Sequence, residues 1–169
     1  MWNLSAAGRE QAASLATEGF WARVEALHSS DEPKALQTGA PAAAMHGLNM
    51  AGHAGLREVE RPAGRVGDYA AAVRAYLKGK SGIPGWESRD AASLRIGEAI
   101  RTLLDSGARV TAVISHGLVI TLYMTALLGL SSAYDLWTQI PFAGHARIDP
   151  DTARLLQPFT SPAVRPRPD

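Results

Sequence analysis

No cysteine occurs in the 169 residues, which excludes a disulfide framework, a thiolate-held metal and a thiol nucleophile. A chain without cysteine is at ease in a reducing compartment, and a cytoplasmic protein is the expectation. An excess of charge of one sign is also missing. The 17 Lys and Arg stand against 16 Asp and Glu, giving a formal net charge of +1, and the cations form no cluster. Neither nucleic acid nor a membrane surface is therefore expected as the main partner. Long apolar runs are absent as well. The longest, Leu118 to Leu130, is broken by Thr121, Thr125 and Gly129. It is shorter than the ~18–20 residues a membrane span needs and reads as a buried helix. Met1 to Ser5 has neither a basic nor an apolar stretch, and no secretory signal is expected.

What is present has the balance of a globular domain, 46% apolar and 20% charged. Ser5 precedes a helical stretch carrying Gln11, Ala12, Leu15 and Ala16, with Gly19 as its stop. Val24 to His28 reads as a strand. Ser29, Ser30 and Asp31 are N-cap candidates for a helix that begins near Pro33 and ends near Gly47. Asn49 to Gly67 reads as loop, with a short extended piece from Leu56 to Val59. Asp68 to Leu77 and Ser88 to Leu104 are amphipathic helices, separated by a Gly/Pro-bearing loop from Lys78 to Gly85. Val110 to Ser115 has the continuous apolar character of a strand buried on both faces. It turns through His116-Gly117 directly into the Leu118 to Leu130 helix. A short helix from Ala133 to Ile140 and a hairpin around Asp149-Pro150-Asp151 follow, the hairpin pairing Ala146–Ile148 with Ala153–Leu156. Strands alternating with helices predict one α/β domain over residues 1–160, followed by a flexible tail from Ser161 to Asp169.

Three segments could carry chemistry. His116 ends a buried strand and opens a helix, a place where α/β folds bind ligands and where helical N–H groups suit an anion. A histidine before glycine is as often a core or capping residue. Lys34 lies one turn into a helix after a strand and could reach phosphate as a point charge. Alone, it reads more simply as a solvated lysine. Glu58, in Leu56-Arg57-Glu58-Val59-Glu60, could be a general acid if apolar neighbours raise its pKa. A surface loop of ion pairs is the plainer alternative. Trp86, Trp137, Tyr69 and Phe142 could line a substrate pocket or simply belong to the core.

Taken together, Leu4-Ser5 with Gly8-Arg9-Glu10-Gln11-Ala12, Ser29-Ser30 with Lys34-Ala35 and Gln37-Thr38, Leu56-Arg57-Glu58, Gly85-Trp86-Glu87-Ser88 and Val113-Ile114-Ser115-His116-Gly117 occur in one order. In order and spacing they resemble the histidine phosphatase superfamily, the phosphoglycerate mutase-like proteins, from about Leu4 to about Phe159. The resemblance implies a three-layer α/β fold with helices on both faces of a mainly parallel sheet. It implies a phosphatase or phosphomutase working through a phosphohistidine, with no cofactor or metal. It places the second active-site histidine at His116, a phosphate-binding cation at Lys34 (where the family usually has arginine), and the acid for the leaving oxygen at Glu58, with Glu60 as a less suitable substitute. The expected ligand is phosphate or a phosphomonoester.

One part of the pattern is missing. The family's first central strand ends in Arg-His-Gly, whose histidine takes the phosphoryl group, and these residues contain no such motif. His28, His46, His53 and His145 stand in other contexts. Of these, His46 and His53 are expected at the surface or at helix ends. Two expectations follow. One is an enzyme whose start lies upstream of Met1; the other is a non-enzymatic anion-binding or interaction domain. In either case Val110–Ser115 should border a gap in the sheet, filled by a homodimeric partner, opened to water or closed over.

Overall fold

The computed structural model describes residues 2–62, 67–79 and 83–162, and it is built on a short parallel sheet between two layers of helices. Within the expected loops and tail, residues 63–66, 80–82 and 163–169 lie outside the described residues. Helix α1 (Ala6–Ala16) begins at Ser5, whose Oγ accepts from the Gly8 N–H at 3.1 Å, satisfying one of the four unpaired donors of a helix start. It ends before the expected Gly19, which instead opens a 3-10 turn, Gly19–Arg23. That turn delays strand β1 to Ala26–Ser30.

Helix α2 (Pro33–His46) starts at its Pro and is closed by Gly47 in the left-handed conformation, φ 64°. Its N-cap is Glu32, without a side-chain cap bond, and not one of the serines or Asp31. Ser30 Oγ accepts from the Glu32 N–H at 3.2 Å, while Asp31 is held by Arg57. Strand β2 is Met50–His53, so the extended piece lies earlier than the expected Leu56–Val59; Ala54–Leu56 is a 3-10 turn. The register decides: β2 pairs with β1 from Leu27↔Met50 to Ser30↔His53.

Helices α3 (Tyr69–Leu77) and α4 (Arg89–Leu104) lead to β3 (Thr111–Ile114), which pairs with the other edge of β1. The sheet order is β2-β1-β3, all parallel. β3 is only half-buried along its length, not the doubly buried strand its composition suggests. It has β1 on one edge and no strand on the other among the described residues. Helix α5 (Gly117–Leu128), α6 (Ala133–Thr138) and an antiparallel hairpin of β4 (His145–Asp149) and β5 (Arg154–Thr160) complete the chain. The hairpin forms its own two-stranded sheet.

Two apolar layers separate the helices from the sheet. On one face Leu15, Ala16, Trp21, Leu27 and Ala42 pack with Met50, Ala112 and Ile114, so α1 and α2 lie there. On the other, Val73, Ile96, Ile100, Leu118 and Leu122 pack around Val113, which places α3, α4 and α5 opposite. This is a three-layer α/β arrangement. Among the described residues no helix is long and apolar enough to cross a membrane.

Candidate functional site

From β1 the chain steps to one side to form β2 and returns to the other side to form β3. Helix α2 covers one face of the sheet and α4 the opposite face. Such a reversal opens a crevice at the carboxyl ends of the two strands where it occurs, here β1 and β3. Ser30 ends β1, and Ser115-His116 follows β3. His116 is buried, 6% exposed, with Nε2 2.8 Å from Ser30 Oγ and 3.4 Å from Glu32 Oε1. Lys34 Nζ lies 3.9 Å from the other Glu32 oxygen. His116 and Ser30 therefore meet, and Lys34 joins them through Glu32, while Ser29 Oγ donates to the Ser30 carbonyl at 2.9 Å and stays apart. Glu32 joins them unforeseen.

Burial first, and then the Lys34 charge, lower the His116 pKa to about 4; Arg61 and Arg95 add to this and Glu32 opposes it. The ring is neutral at neutral pH, offering one N–H and one lone pair. It is a hydrogen-bonding group there and not a cation.

Glu58 is drawn to the same corner by a different route. Its Oε1 accepts from the Val119 N–H at 3.0 Å, and its Oε2 from that of Leu118 at 3.4 Å. The amide groups opening α5, expected to be free for phosphate, thus hold the Glu58 carboxyl, and His116 as N-cap makes no side-chain cap bond. A carboxylate suits a helix N-terminus. Burial nevertheless raises the Glu58 pKa, against the pull of the Val59, Val119 and Leu118 N–H groups and of Lys34. A carboxyl that keeps its proton more readily than usual can donate one to a leaving oxygen. Glu60, by contrast, is exposed, its N–H donating to Glu87 Oε2 at 3.2 Å.

The segment carrying Glu58 is clamped by residues that the sequence does not single out for this role. Arg95, from α4, donates Nη1 to the carbonyls of Gly55 and Arg57 at 3.0 and 2.9 Å. Its Nε and Nη2 grip both Glu87 oxygens at 2.9 and 2.6 Å. The one available signal is an arginine on the apolar side of an amphipathic helix. Arg57 forks onto Asp31 at 2.6 and 2.5 Å, and Ser115 Oγ donates to the Leu56 carbonyl at 2.7 Å. The three segments of the site are tied to one another through these bonds.

The remaining histidines stay out of the cluster. His28 and His53 meet ring to ring, Nδ1 to Nε2 at 3.0 Å, and His53 is half-buried at the start of the Ala54–Leu56 turn, a helix end as expected. Burial, and then His53, lower the His28 pKa. His46, at the end of α2 as expected, bonds the Ala16 carbonyl at 2.8 Å, and His145 meets Phe20 in a tilted ring contact, 4.8 Å between centroids. Trp86, Trp137 and Tyr69 come together in one wall, whereas Phe142 is 85% exposed and apart from them. A cavity of about 470 Å³ opens at the other end of the sheet, by the first residues of β1 and β2, away from His116. Among the described residues no cluster of three or more His, Asp or Glu side chains could hold a metal ion.

Comparison with known proteins matches residues 2–155 to the family model of the histidine phosphatase superfamily (branch 1). A mycobacterial hydrolase superposes with a TM-score of 0.73 at 23% identity, covering 96% of this chain and 82% of its own. A phosphoserine phosphatase from Entamoeba histolytica, solved with 3-phosphoglyceric acid, gives 0.73 at 19% identity, covering 96% and 86%. A mycobacterial glucosyl-3-phosphoglycerate phosphatase solved with inorganic phosphate gives 0.66 at 23%, covering 82% and 74%. Among curated proteins no sequence matches significantly.

Proposed function

Since the chain belongs to the histidine phosphatase superfamily, we propose that the corner around His116 binds the phosphate of a phosphomonoester, the ligand class of a phosphatase or phosphomutase. The observation that carries this is the meeting of His116 Nε2 with Ser30 Oγ at 2.8 Å at the switch point of the sheet, with Lys34 in the first turn of α2. In this reading His116 and Lys34 hold the phosphate and Glu58 is the acid for the leaving oxygen, its raised pKa supporting it over Glu60. No cofactor is needed, and a cysteine-free chain suits a cytoplasmic setting.

The 169 residues contain no Arg-His-Gly. Phosphoryl transfer through a histidine then has no residue on which to begin, and this chain by itself binds without turning over. A second reading, an anion-binding or protein-interaction domain, is favoured by Glu32, which already sets a carboxylate beside His116. The edge of β3 that bears no strand among the described residues supports a homodimer formed by strand addition as part of that reading.

Calorimetric titration with inorganic phosphate tests the site. Affinity falls in both His116→Ala and Lys34→Ala; if neither substitution matters, the site is misplaced. On p-nitrophenyl phosphate the expected result is no turnover. Steady hydrolysis abolished by His116→Ala would overturn the binding-only account.

A further inference from the structure

Beside the anion corner stands a wall of aromatic rings that phosphate binding alone does not use. A side-chain carbon at Gly117, the residue after His116, would lie 3.8 Å from Trp137 Nε1. The Trp137 ring meets Tyr69 at 6.4 Å between centroids and Tyr134 at 5.9 Å, and Tyr69 meets Trp86 at 6.5 Å. Arg61 lies over two of these rings, 4.9 Å from the centroid of Tyr69 and 5.7 Å from that of Trp86. It also donates Nη1 to Tyr69 Oη at 2.8 Å.

Three features separate this wall from ordinary core. Its rings are only partly covered: Tyr69 is 37% exposed, and Trp86 and Trp137 are half-buried. Arg61 has no carboxylate partner among the described residues, yet it is close enough to act on His116. The Trp137 indole N–H makes no hydrogen bond among the described residues, although it faces the start of α5. Partly exposed rings, and among the described residues a guanidinium without a carboxylate partner and an indole donor without an acceptor, lie together beside the His116 corner.

We propose that the Tyr69–Trp86–Trp137 wall, with Arg61, binds the leaving-group side of the ligand and selects an aryl phosphate, a phosphate ester of an aromatic hydroxyl. The ring of such an ester lies against the wall while its phosphate reaches His116 and Lys34. An aromatic face recognises another ring by offset or edge-to-face contact, and a short alkyl ester gains none of this. The proposal rests on the phosphate reading above and narrows it to one substrate class.

The test is a set of calorimetric titrations of the full chain with inorganic phosphate, methyl phosphate and phenyl phosphate. Phenyl phosphate is expected to bind roughly tenfold more tightly than methyl phosphate. In Tyr69→Ala that ratio falls towards one. Tryptophan fluorescence gives a readout that needs no variant: phenyl phosphate perturbs emission as it saturates, and methyl phosphate at equal occupancy does not. If inorganic phosphate binds but the phenyl and methyl esters bind equally, the aryl wall is overturned and the anion site stands. If none of the three binds, both fail.

Discussion

Glu32 Oε1 lies 3.4 Å from His116 Nε2, and the same carboxyl group approaches Lys34 to 3.9 Å through its other oxygen. The phosphate-binding candidates therefore already share an anion supplied by their own chain. A phosphate must displace this charge or sit beside it, and a like charge a few ångströms away costs on the order of kilocalories per mole at a partly exposed site. Glu32→Gln keeps an oxygen for the Glu58 N–H, which now donates to Glu32 at 2.8 Å, and removes the charge. Phosphate affinity should rise about tenfold in calorimetry. Unchanged affinity would put the ligand elsewhere.

His116 and Glu58 give stability opposite slopes with pH. The His116 pKa is about 4 in the folded chain against 6.5 for the free side chain. The unfolded chain then binds a proton that the folded one refuses, so stability falls as pH drops from 6.5 towards 4. The loss is at most about 3–4 kcal/mol. The Glu58 pKa is raised above its ordinary 4.5, so its contribution is full below that value and is lost as pH rises through the folded pKa. Urea midpoints across this range should flatten on the acid side in His116→Gln and on the rising side in Glu58→Gln. Parallel curves for all three proteins would refute both assignments.

Arg95 is the clamp most exposed to mutation. Its loss leaves Glu87, 13% exposed at the side chain, without its partner, and frees the carbonyls of Gly55 and Arg57. Arg95→Ala should cost about 2–4 kcal/mol, a drop of roughly 5–15 °C in Tm. Lysine should restore only part, because an ammonium cannot make the fork to Glu87. Full recovery with lysine would mean that charge alone matters.

Gly55 lets the turn before Glu58 rest directly on α4. A Cβ there would come within 2.7 Å of Ala99 Cβ, a rigid stub with no rotamer to move. Gly55→Ala should therefore destabilise by about 1–3 kcal/mol. Adding Ala99→Gly should recover most of this, less about 1 kcal/mol for glycine within a helix. Additive losses in the double variant, measured by thermal melts, would show that the contact is not the cause.

Several helix ends were legible because they depend on local chemistry: Ser5 at the start of α1, and Pro33 and Gly47 at the ends of α2, all act within one turn, whereas the expected Gly19 stop and the Ser29 to Asp31 caps failed. Strand β2 was not. Met50-Ala51-Gly52-His53 has no β-branched residue, and only its pairing with β1 makes it a strand. The composition of β3 suggested burial on both faces, which its half-covered position at the edge of the described sheet does not provide. At the site, His116, Lys34 and Glu58 could be picked out by motif. Glu32 and Arg95 could not, since their roles come from neighbours distant in sequence.

The bond between Ser30 and His116 joins positions 86 residues apart, and the β1–β3 ladder beneath it spans a similar distance, Ala26 to Thr111. Closing so long a stretch of chain is entropically costly, and contacts of this kind slow folding. The helices can form early, but the corner around His116 exists only once β3 has docked on β1. A ligand that recognises that corner stabilises the finished protein and not the path towards it. It should lengthen the lifetime of the folded state while leaving the folding rate almost untouched.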